Sequence, residues 1–266
     1  MAKGRILPAV GIAAVTFLCI FLGPIARLLF FTALALASVY EMHSVFTRSG
    51  ETLLWIVPGA YLVGQALLCL LGAEPLWMLV WFALMAFCAL FKVVLFPKNG
   101  ARSAFTTLYT MLWPVFFYGI LMALAVTEKA GLVLTLTILT VWGCDSTALF
   151  VGRSMGKHKL APYVSPNKTW EGTVGGAVFS LIAGALLCLI LKSFGGPALL
   201  PGMMAAFVGS CFGQAGDLIA SLFKRMCGVK DYSRLLGEHG GIMDKMDGML
   251  FAIPAAWLVL HAFAYV

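Results

Sequence analysis

The chain has 266 residues, of which 62% are hydrophobic and 11% are charged. A soluble domain carries about 25% charged residues, so this chain has too few charges to cover a globular surface. The composition argues against a soluble enzyme, a coiled coil and a disordered protein, and it predicts an all-α, polytopic integral membrane protein.

Nine apolar segments predict about nine transmembrane helices, because about 20 apolar residues span a bilayer. In chain order they cover approximately 6–22, 25–40, 52–71, 76–96, 104–126, 131–151, 173–191, 198–223 and 248–265. Glycine, proline and charge clusters separate them. The first two segments are short, so a hairpin or an interfacial helix is an alternative there.

The basic residues predict how these helices are oriented. With nine spans, 15 of the 18 Lys and Arg residues share the side of the N-terminus. The other side holds Arg27, Lys129 and Lys192. The positive-inside rule then places the N-terminus in the cytoplasm and the C-terminus outside. Loop anchoring explains the net charge of +7, so we expect no nucleic-acid partner.

Charged residues concentrate in two stretches, with six in 145–171 and ten in 217–247. Asp145 lies late in the sixth apolar segment and Asp217 lies inside the eighth. Placing a carboxylate within a membrane span costs free energy, so its presence indicates a specific structural or functional role. Each is interpreted either as a hydrogen-bonded structural carboxylate or as a metal ligand or proton-bearing group facing a polar cavity.

The loop 223–247 predicts a cation site. Asp244 and Asp247 are three residues apart, so they share one face if the last helix begins there. A structural role as first-turn charges is one interpretation. With Asp217, the same oxygens could instead hold Mg²⁺, while nearby Lys and Arg bind phosphates. Gly240 and Gly241 would allow close backbone approach to a ligand.

The loop 152–172 predicts a phosphate site on the same side of the membrane. Ser165 before Pro166 is typical of an N-cap followed by the first helical residue. A helix N-terminus with Lys168 nearby is a plausible cradle for phosphate, although a basic loop that only fixes topology is the alternative. Acidic residues, basic residues and a membrane setting together indicate a phosphate-containing lipid substrate.

The stretch from Ser221 to Asp247 resembles the signature of phosphatidate cytidylyltransferases, also called CDP-diacylglycerol synthases. The positions in register are Ser221, Lys224, Arg225, Lys230, Asp231, Ser233, Leu236, Gly237, His239, Gly240, Gly241, Asp244 and Asp247. The segments 156–160 and 165–172 are also similar to the family. One position departs, because Lys245 stands where the family usually has arginine.

The resemblance implies that CTP and phosphatidic acid react to give CDP-diacylglycerol and pyrophosphate, with Mg²⁺ and a second, monovalent cation. It implies Asp217 and Asp244 as central metal ligands, with Asp247 and Asp231 nearby and Asp145 lining the cavity. The residues implied to bind substrate are Ser165, Asn167, Lys168, Lys224, Arg225, Lys230, His239, Gly240, Gly241 and Lys245. Among these, Lys168, Lys224 and Arg225 are expected to be catalytic together with Asp217 and Asp244.

The expected organisation is one continuous membrane domain, with N-terminal helices in 1–103 and a catalytic region in 104–266. That region would carry the loops 152–172 and 223–247 on the cytoplasmic face of a bacterial inner membrane. A homodimer is one assembly that we consider. Two other functions stay open: a CTP-dependent lipid or polyprenol kinase, and an ion-coupled transporter.

Overall fold

The computed structural model describes residues 3–95 and 100–266, and in this part the chain is mostly helical. The helices are α1 (Lys3–Phe21), α2 (Pro24–Arg48), α3 (Ile56–Leu70), α4 (Pro75–Leu95), α5 (Gly100–Thr110), α6 (Phe116–Ala125), α7 (Ala130–Met155), α8 (Trp170–Leu191), α9 (Leu199–Met226), α10 (Met243–Met246) and α11 (Met249–Ala262). A π-helical turn, Met111–Val115, joins α5 to α6. The predicted helical chain is thus confirmed in its main feature.

One short β-hairpin adds to the predicted all-α architecture. Strand β1 (Lys159–Ala161) pairs antiparallel with strand β2 (Ser165–Thr169). In this register Lys159 lies opposite Thr169 and Ala161 lies opposite Ser165. The hairpin lies in the predicted phosphate loop 152–172 and leads directly into α8.

Among the residues that the structure describes, five helical stretches are long and apolar enough to cross a membrane by length and composition. They are Pro24–Arg48, Ala101–Ala125, Ala130–Met155, Trp170–Phe194 and Leu199–Met226. Shorter apolar helices cover Val10–Phe21, Ile56–Leu70 and Pro75–Phe91. These helices fit an integral membrane protein, while the count of nine spans and the orientation stay predictions. The predicted end of the fourth segment at Phe96, and Lys98 beyond it, lie outside the described residues.

The chain forms two compact units. Unit 1 comprises Met1–Glu128 and Cys227–Lys245, and unit 2 comprises Lys129–Met226 and Met246–Val266. The expected organisation, one continuous membrane domain with a catalytic region from residue 104, stays a prediction. The loop 227–245 belongs with the N-terminal helices because its backbone hydrogen-bonds to a side chain of α2, as described below.

Helix α2 forms the centre of unit 1. Its buried positions recur every three or four residues, as one face of an α-helix requires; they include Leu28, Phe31, Ala35, Ser38, Met42 and Val45. The Ser38 hydroxyl lies 2.8 Å from the Tyr118 hydroxyl. Near the start of α2, buried Arg27 donates from Nε to the Ala125 carbonyl at 2.7 Å. A cation at the last carbonyls of α6 is favourable because of the helix dipole.

Glycines bring the helices of unit 2 into close contact, as small residues do in membrane helix pairs. In α8, a Cβ atom at Gly172 would lie 2.5 Å from the Ala148 carbonyl oxygen of α7. A Cβ atom at Gly176 would lie 2.8 Å from the Cys144 carbonyl oxygen. In α9, a Cβ atom at Gly209 would lie 3.2 Å from the Ala252 carbonyl oxygen of α11. The backbones of these helix pairs therefore pack directly on each other.

Candidate active site

The hairpin and α9 of unit 2 bring together two side chains that the sequence assigned to different roles. Lys168, predicted to bind phosphate, lies on β2 with its Nζ 2.6 Å from Oδ2 of Asp217, a predicted metal ligand on α9. Their side chains remain 26% and 39% exposed. A lysine ammonium has three donors, so Lys168 can bind Asp217 and still reach a ligand.

Neighbouring residues of α9 extend this contact into what we call the Lys168–Asp217 cluster: Lys168, Gln214, Asp217 and Ser221. The Ser221 hydroxyl donates to Oδ1 of Asp217 at 3.4 Å. The backbone carbonyl of Gln214 accepts from Lys168 Nζ at 3.5 Å. The buried side-chain amide of Gln214 donates to the Thr173 backbone carbonyl at 3.3 Å. Gln214 thereby connects α9 to the first turns of α8, beside the strand that carries Lys168.

The start of α8 differs from the sequence prediction. Ser165 is the first residue of β2, and α8 begins at Trp170 with Thr169 as its N-cap. The Thr169 hydroxyl accepts from the Gly172 backbone N–H at 3.1 Å. The predicted helix start at Ser165 and Pro166 was wrong because pairing with β1 keeps this segment extended.

The hairpin also contacts the end of α9 through another predicted phosphate ligand. Arg225 is exposed, and its Nε donates to the Val164 carbonyl in the hairpin turn at 3.4 Å. The hairpin strands also contain the half-buried Ser165 and the exposed Asn167. In unit 2, Lys168 therefore lies on strand β2 of the hairpin, and Arg225 lies on the helix end that contacts the turn of the same hairpin.

Asp247 and Lys224 form a buried pair in unit 2. The Asp247 residue is 6% exposed and Lys224 is 7% exposed, and Lys224 Nζ lies 3.8 Å from Oδ2 of Asp247. The other carboxylate oxygen, Oδ1, accepts from the Gly248 backbone N–H at 2.8 Å. Lys224 was predicted to bind phosphate, and in the structure its ammonium neutralises a buried carboxylate.

Close packing of α9 brings the neighbourhood of Asp217 to the backbone of Asp247. A Cβ atom at Gly216 would lie 2.9 Å from the Asp247 carbonyl oxygen and 2.5 Å from Cδ2 of Phe251. Both distances are shorter than side-chain carbon contacts in folded proteins allow. Because Gly216 has no side chain, the backbone next to Asp217 can pack directly against the backbone of Asp247. Both residues are predicted metal ligands.

Replacing Gly216 by alanine should force α9 away from the Asp247 backbone and lower activity by about tenfold or more, since small misplacements at a site cost rate steeply. The measurement is turnover of CTP, the substrate that the sequence resemblance implies, together with the thermal midpoint of purified protein. Gly213→Ala is the matched control, because a Cβ atom there would meet its nearest neighbours at 3.4 Å. Equal activities for the two variants would contradict the packing argument.

The loop 227–245 holds the remaining signature residues, in unit 1. Oδ2 of Asp244 accepts from the backbone N–H groups of Tyr232 and Gly241, both at 2.9 Å. Gly240 has a φ of 80°, a conformation that glycine adopts without strain. Three predicted site residues of the loop are exposed, namely Lys230, Asp231 and Lys245. The side chain of His239 lies outside the described part of the chain.

Asp244 and Asp247 do not share a face of one helix, contrary to the expectation from their spacing. Asp244 lies in the four-residue helix α10, and α11 begins only at Met249, after Gly248. Each carboxylate instead accepts from a separate backbone N–H group, that of Gly241 for Asp244 and that of Gly248 for Asp247.

The sequence prediction missed Glu41, the residue that binds this loop to α2. Glu41 is 1% exposed and accepts from the Ser233 hydroxyl at 2.6 Å and from the N–H groups of Ile242 and Met243 at 2.9 and 2.8 Å. Its signal in the sequence was a lone acid directly after the second apolar segment, which ended at residue 40. Gln214, the lone amide in the eighth segment, was likewise given no role.

The donor types at the site fit a magnesium ion, which takes oxygen ligands and shares them with substrate phosphates. Carboxylate oxygens are present on all four predicted ligands, which are Asp217 and Asp247 in unit 2 and Asp231 and Asp244 in unit 1. Among the described residues, three or more His, Cys, Asp or Glu side chains do not gather into one metal-binding group. Asp145 is exposed on α7. The metal set and the cavity role of Asp145 stay predictions.

Comparison with known proteins identifies the class of protein to which this site belongs. The chain matches the Cytidylyltransferase family over residues 3–263. The match covers nearly all of the chain, including both units and the signature loop, so the chain belongs to this family. The resemblance noted from the residues 221–247 is thereby confirmed.

Individual relatives point to a more specific activity. A phosphatidate cytidylyltransferase of Brucella abortus biovar 1 (strain 9-941) is 31% identical over 268 residues, which cover 98% of this chain and 93% of the relative. A phosphatidate cytidylyltransferase of Staphylococcus saprophyticus is 42% identical over 178 residues, 66% of each protein. One of Staphylococcus haemolyticus is 44% identical over 122 residues, 46% of each.

Proposed function

We propose that this protein is a phosphatidate cytidylyltransferase, which transfers the cytidylyl group of CTP to phosphatidic acid and yields CDP-diacylglycerol and pyrophosphate. The observation that carries the proposal is the family match over residues 3–263, together with a relative of that name aligned over 98% of the chain. Neither a kinase nor a transporter is indicated by these similarities.

In the proposed reaction, a phosphate oxygen of phosphatidic acid attacks the α-phosphorus of CTP. A new phosphorus–oxygen bond forms, and the bond between the α-phosphorus and the oxygen bridging to the β-phosphorus breaks, so pyrophosphate leaves. The attacking phosphate is already ionised and needs no strong general base. Catalysis then consists of positioning the two phosphates and offsetting their negative charge.

The Lys168–Asp217 cluster is the best candidate for this work in unit 2. Lys168 is held by Asp217 at 2.6 Å yet remains partly exposed, which supports a role in binding the triphosphate or the lipid phosphate. Arg225, exposed beside the hairpin, is proposed to bind a second phosphate group. For Lys224, burial beside Asp247 supports a charge-balancing role over the predicted direct contact with substrate.

We propose Mg²⁺ as the metal, with Asp217 and Asp247 as its ligands in unit 2. A bound magnesium ion would neutralise charge on the phosphate oxygens. The assignments of Asp231 and Asp244 to the metal stay predictions from the motif, as does the second, monovalent cation. So do the substrate contacts of Ser165, Asn167, Lys230, His239, Gly240, Gly241 and Lys245, and the homodimer.

We further propose that the protein spans a bacterial inner membrane about nine times, with its active site facing the cytoplasm. The support is the distribution of basic residues, of which 15 of 18 share one side under this topology. The five long apolar helices are compatible with it.

The proposed function predicts that purified protein in detergent releases pyrophosphate from CTP when both Mg²⁺ and phosphatidic acid are present. Diacylglycerol and a polyprenol, supplied as acceptors in parallel, should not support CTP consumption. A characterised relative serves as the positive control for the assay. Consumption of CTP with a lipid alcohol, accompanied by CDP release, would indicate a kinase instead, and ion flux in proteoliposomes without CTP turnover would indicate a transporter.

A further inference from the structure

We propose that Glu41 is a positioning residue that fixes the conformation of the signature loop 227–245 and thereby the carboxylate of Asp244. Glu41 lies on α2, in the opposite half of the sequence from the loop, and its side chain is buried within unit 1. The part of this inference that concerns CTP turnover rests on the proposed function.

Within the described parts of the chain, the hydrogen bonds of Glu41 all come from donors of the loop. Oε1 accepts from the Ser233 hydroxyl at 2.6 Å and from the Ile242 N–H at 2.9 Å, and Oε2 accepts from the Met243 N–H at 2.8 Å. A buried carboxylate is stable only when hydrogen bonds replace its lost hydration. These three bonds supply that replacement, and charge-assisted bonds of this kind are stronger than neutral ones.

Three consecutive backbone N–H groups show how Glu41 and Asp244 act on the same short segment. The Gly241 N–H donates to Oδ2 of Asp244 at 2.9 Å, and the next two N–H groups, of Ile242 and Met243, donate to Glu41. By binding the N–H groups of residues 242 and 243, Glu41 fixes the course of the backbone there. That course therefore determines the position of Asp244, the next residue.

Gly241 provides independent evidence that the loop is fitted to this carboxylate. A Cβ atom at Gly241 would lie 2.5 Å from Oε1 and 2.6 Å from Oε2 of Glu41. The sequence prediction assigned the close approach at this glycine to a ligand. In the structure the group that approaches it is Glu41.

Replacement of Glu41 by glutamine is the sharpest perturbation, because it preserves size. The glutamine amide keeps one acceptor oxygen but turns an N–H group toward a backbone donor that the carboxylate had bound. We expect faster hydrogen–deuterium exchange in peptides covering 232–243, and an increase of about tenfold in the KM for CTP. Ser233→Ala removes one of the three donors and should give a smaller change in the same direction.

The experiment compares wild type, Glu41→Gln, Ser233→Ala and Glu51→Gln in detergent by exchange mass spectrometry, thermal midpoint and steady-state kinetics. Glu51→Gln is the matched control, because Glu51 is also in unit 1 but pairs with the exposed Arg102 at 3.3 Å. It should leave both exchange in the loop and the KM for CTP unchanged. A purely structural role for Glu41 would lower the thermal midpoint and the amount of active protein while leaving KM unchanged.

Unchanged exchange in the loop of Glu41→Gln would overturn the proposal, and so would faster exchange with an unchanged KM. A wild-type protein that consumes no CTP with phosphatidic acid would refute the proposed function instead. In that case the exchange comparison, which needs no substrate, still decides whether Glu41 fixes the loop.

Discussion

Replacing Asp217 by asparagine is expected to lower CTP turnover by roughly 10²–10³-fold, the loss typical of removing one preorganised electrostatic group from an active site. Asparagine has nearly the same size but no charge, so Lys168 loses the anion at 2.6 Å that orients it. The proposed metal would lose an anionic ligand at the same time. Stability should change little, because ion pairs with partly exposed members are worth about 1 kcal/mol or less.

The measurement is the rate of pyrophosphate release at saturating CTP, with the thermal midpoint recorded for each preparation. Glu128→Gln is the control for an acid-to-amide change, because Glu128 is exposed and lies outside the candidate site. Turnover within about twofold of wild type in Asp217→Asn, measured on folded protein, would remove Asp217 from the catalytic machinery.

Replacing Lys224 by methionine is expected to destabilise the metal-free protein by about 3–5 kcal/mol, because it removes the ammonium that lies 3.8 Å from the buried Asp247 carboxylate. Both residues are less than 10% exposed, so water cannot replace the lost partner. The change would be measured as the free energy of unfolding in mixed detergent micelles.

A second substitution tests whether the lost charge pairing is the cause. In Lys224→Met/Asp247→Asn the buried negative charge that Lys224 faces is removed as well, and the asparagine oxygen can still accept from the Gly248 N–H. The double variant should therefore be more stable than Lys224→Met alone. If it is less stable, Lys224 stabilises the protein through contacts other than the pairing with Asp247.

The helical framework was predictable because its signal is local. Apolar runs interrupted by residues such as Gly23 and Pro24 mark helix boundaries directly, and α2 begins at the predicted break. The predicted segment 173–191 likewise corresponds to α8, although the helix begins three residues earlier.

The errors arose where pairing with another segment overrides a local signal. Ser165 and Pro166 resemble a helix start, but β1 holds them in a strand, and Thr169 caps the helix instead. Likewise, the spacing of Asp244 and Asp247 suits one helical face, but each carboxylate caps separate backbone N–H groups. Neither arrangement can be deduced from a window of a few residues.

Glu41 shows the limit of sequence reasoning most clearly. Its partners Ser233, Ile242 and Met243 are 192, 201 and 202 residues away along the chain. Local hydropathy identifies an acid at the end of an apolar segment but cannot say which backbone groups it meets. The predicted site residues were recognised because they recur in a motif, and their supporting contacts required the fold.

The most direct test of the proposed activity is to follow two phosphorus labels of CTP in separate reactions with phosphatidic acid and Mg²⁺. If the protein transfers a cytidylyl group, label at the α-phosphorus will appear in the lipid fraction as CDP-diacylglycerol, and label at the γ-phosphorus will appear in soluble pyrophosphate. Transfer of the γ-label to lipid, with the α-label left in CDP, would contradict the account.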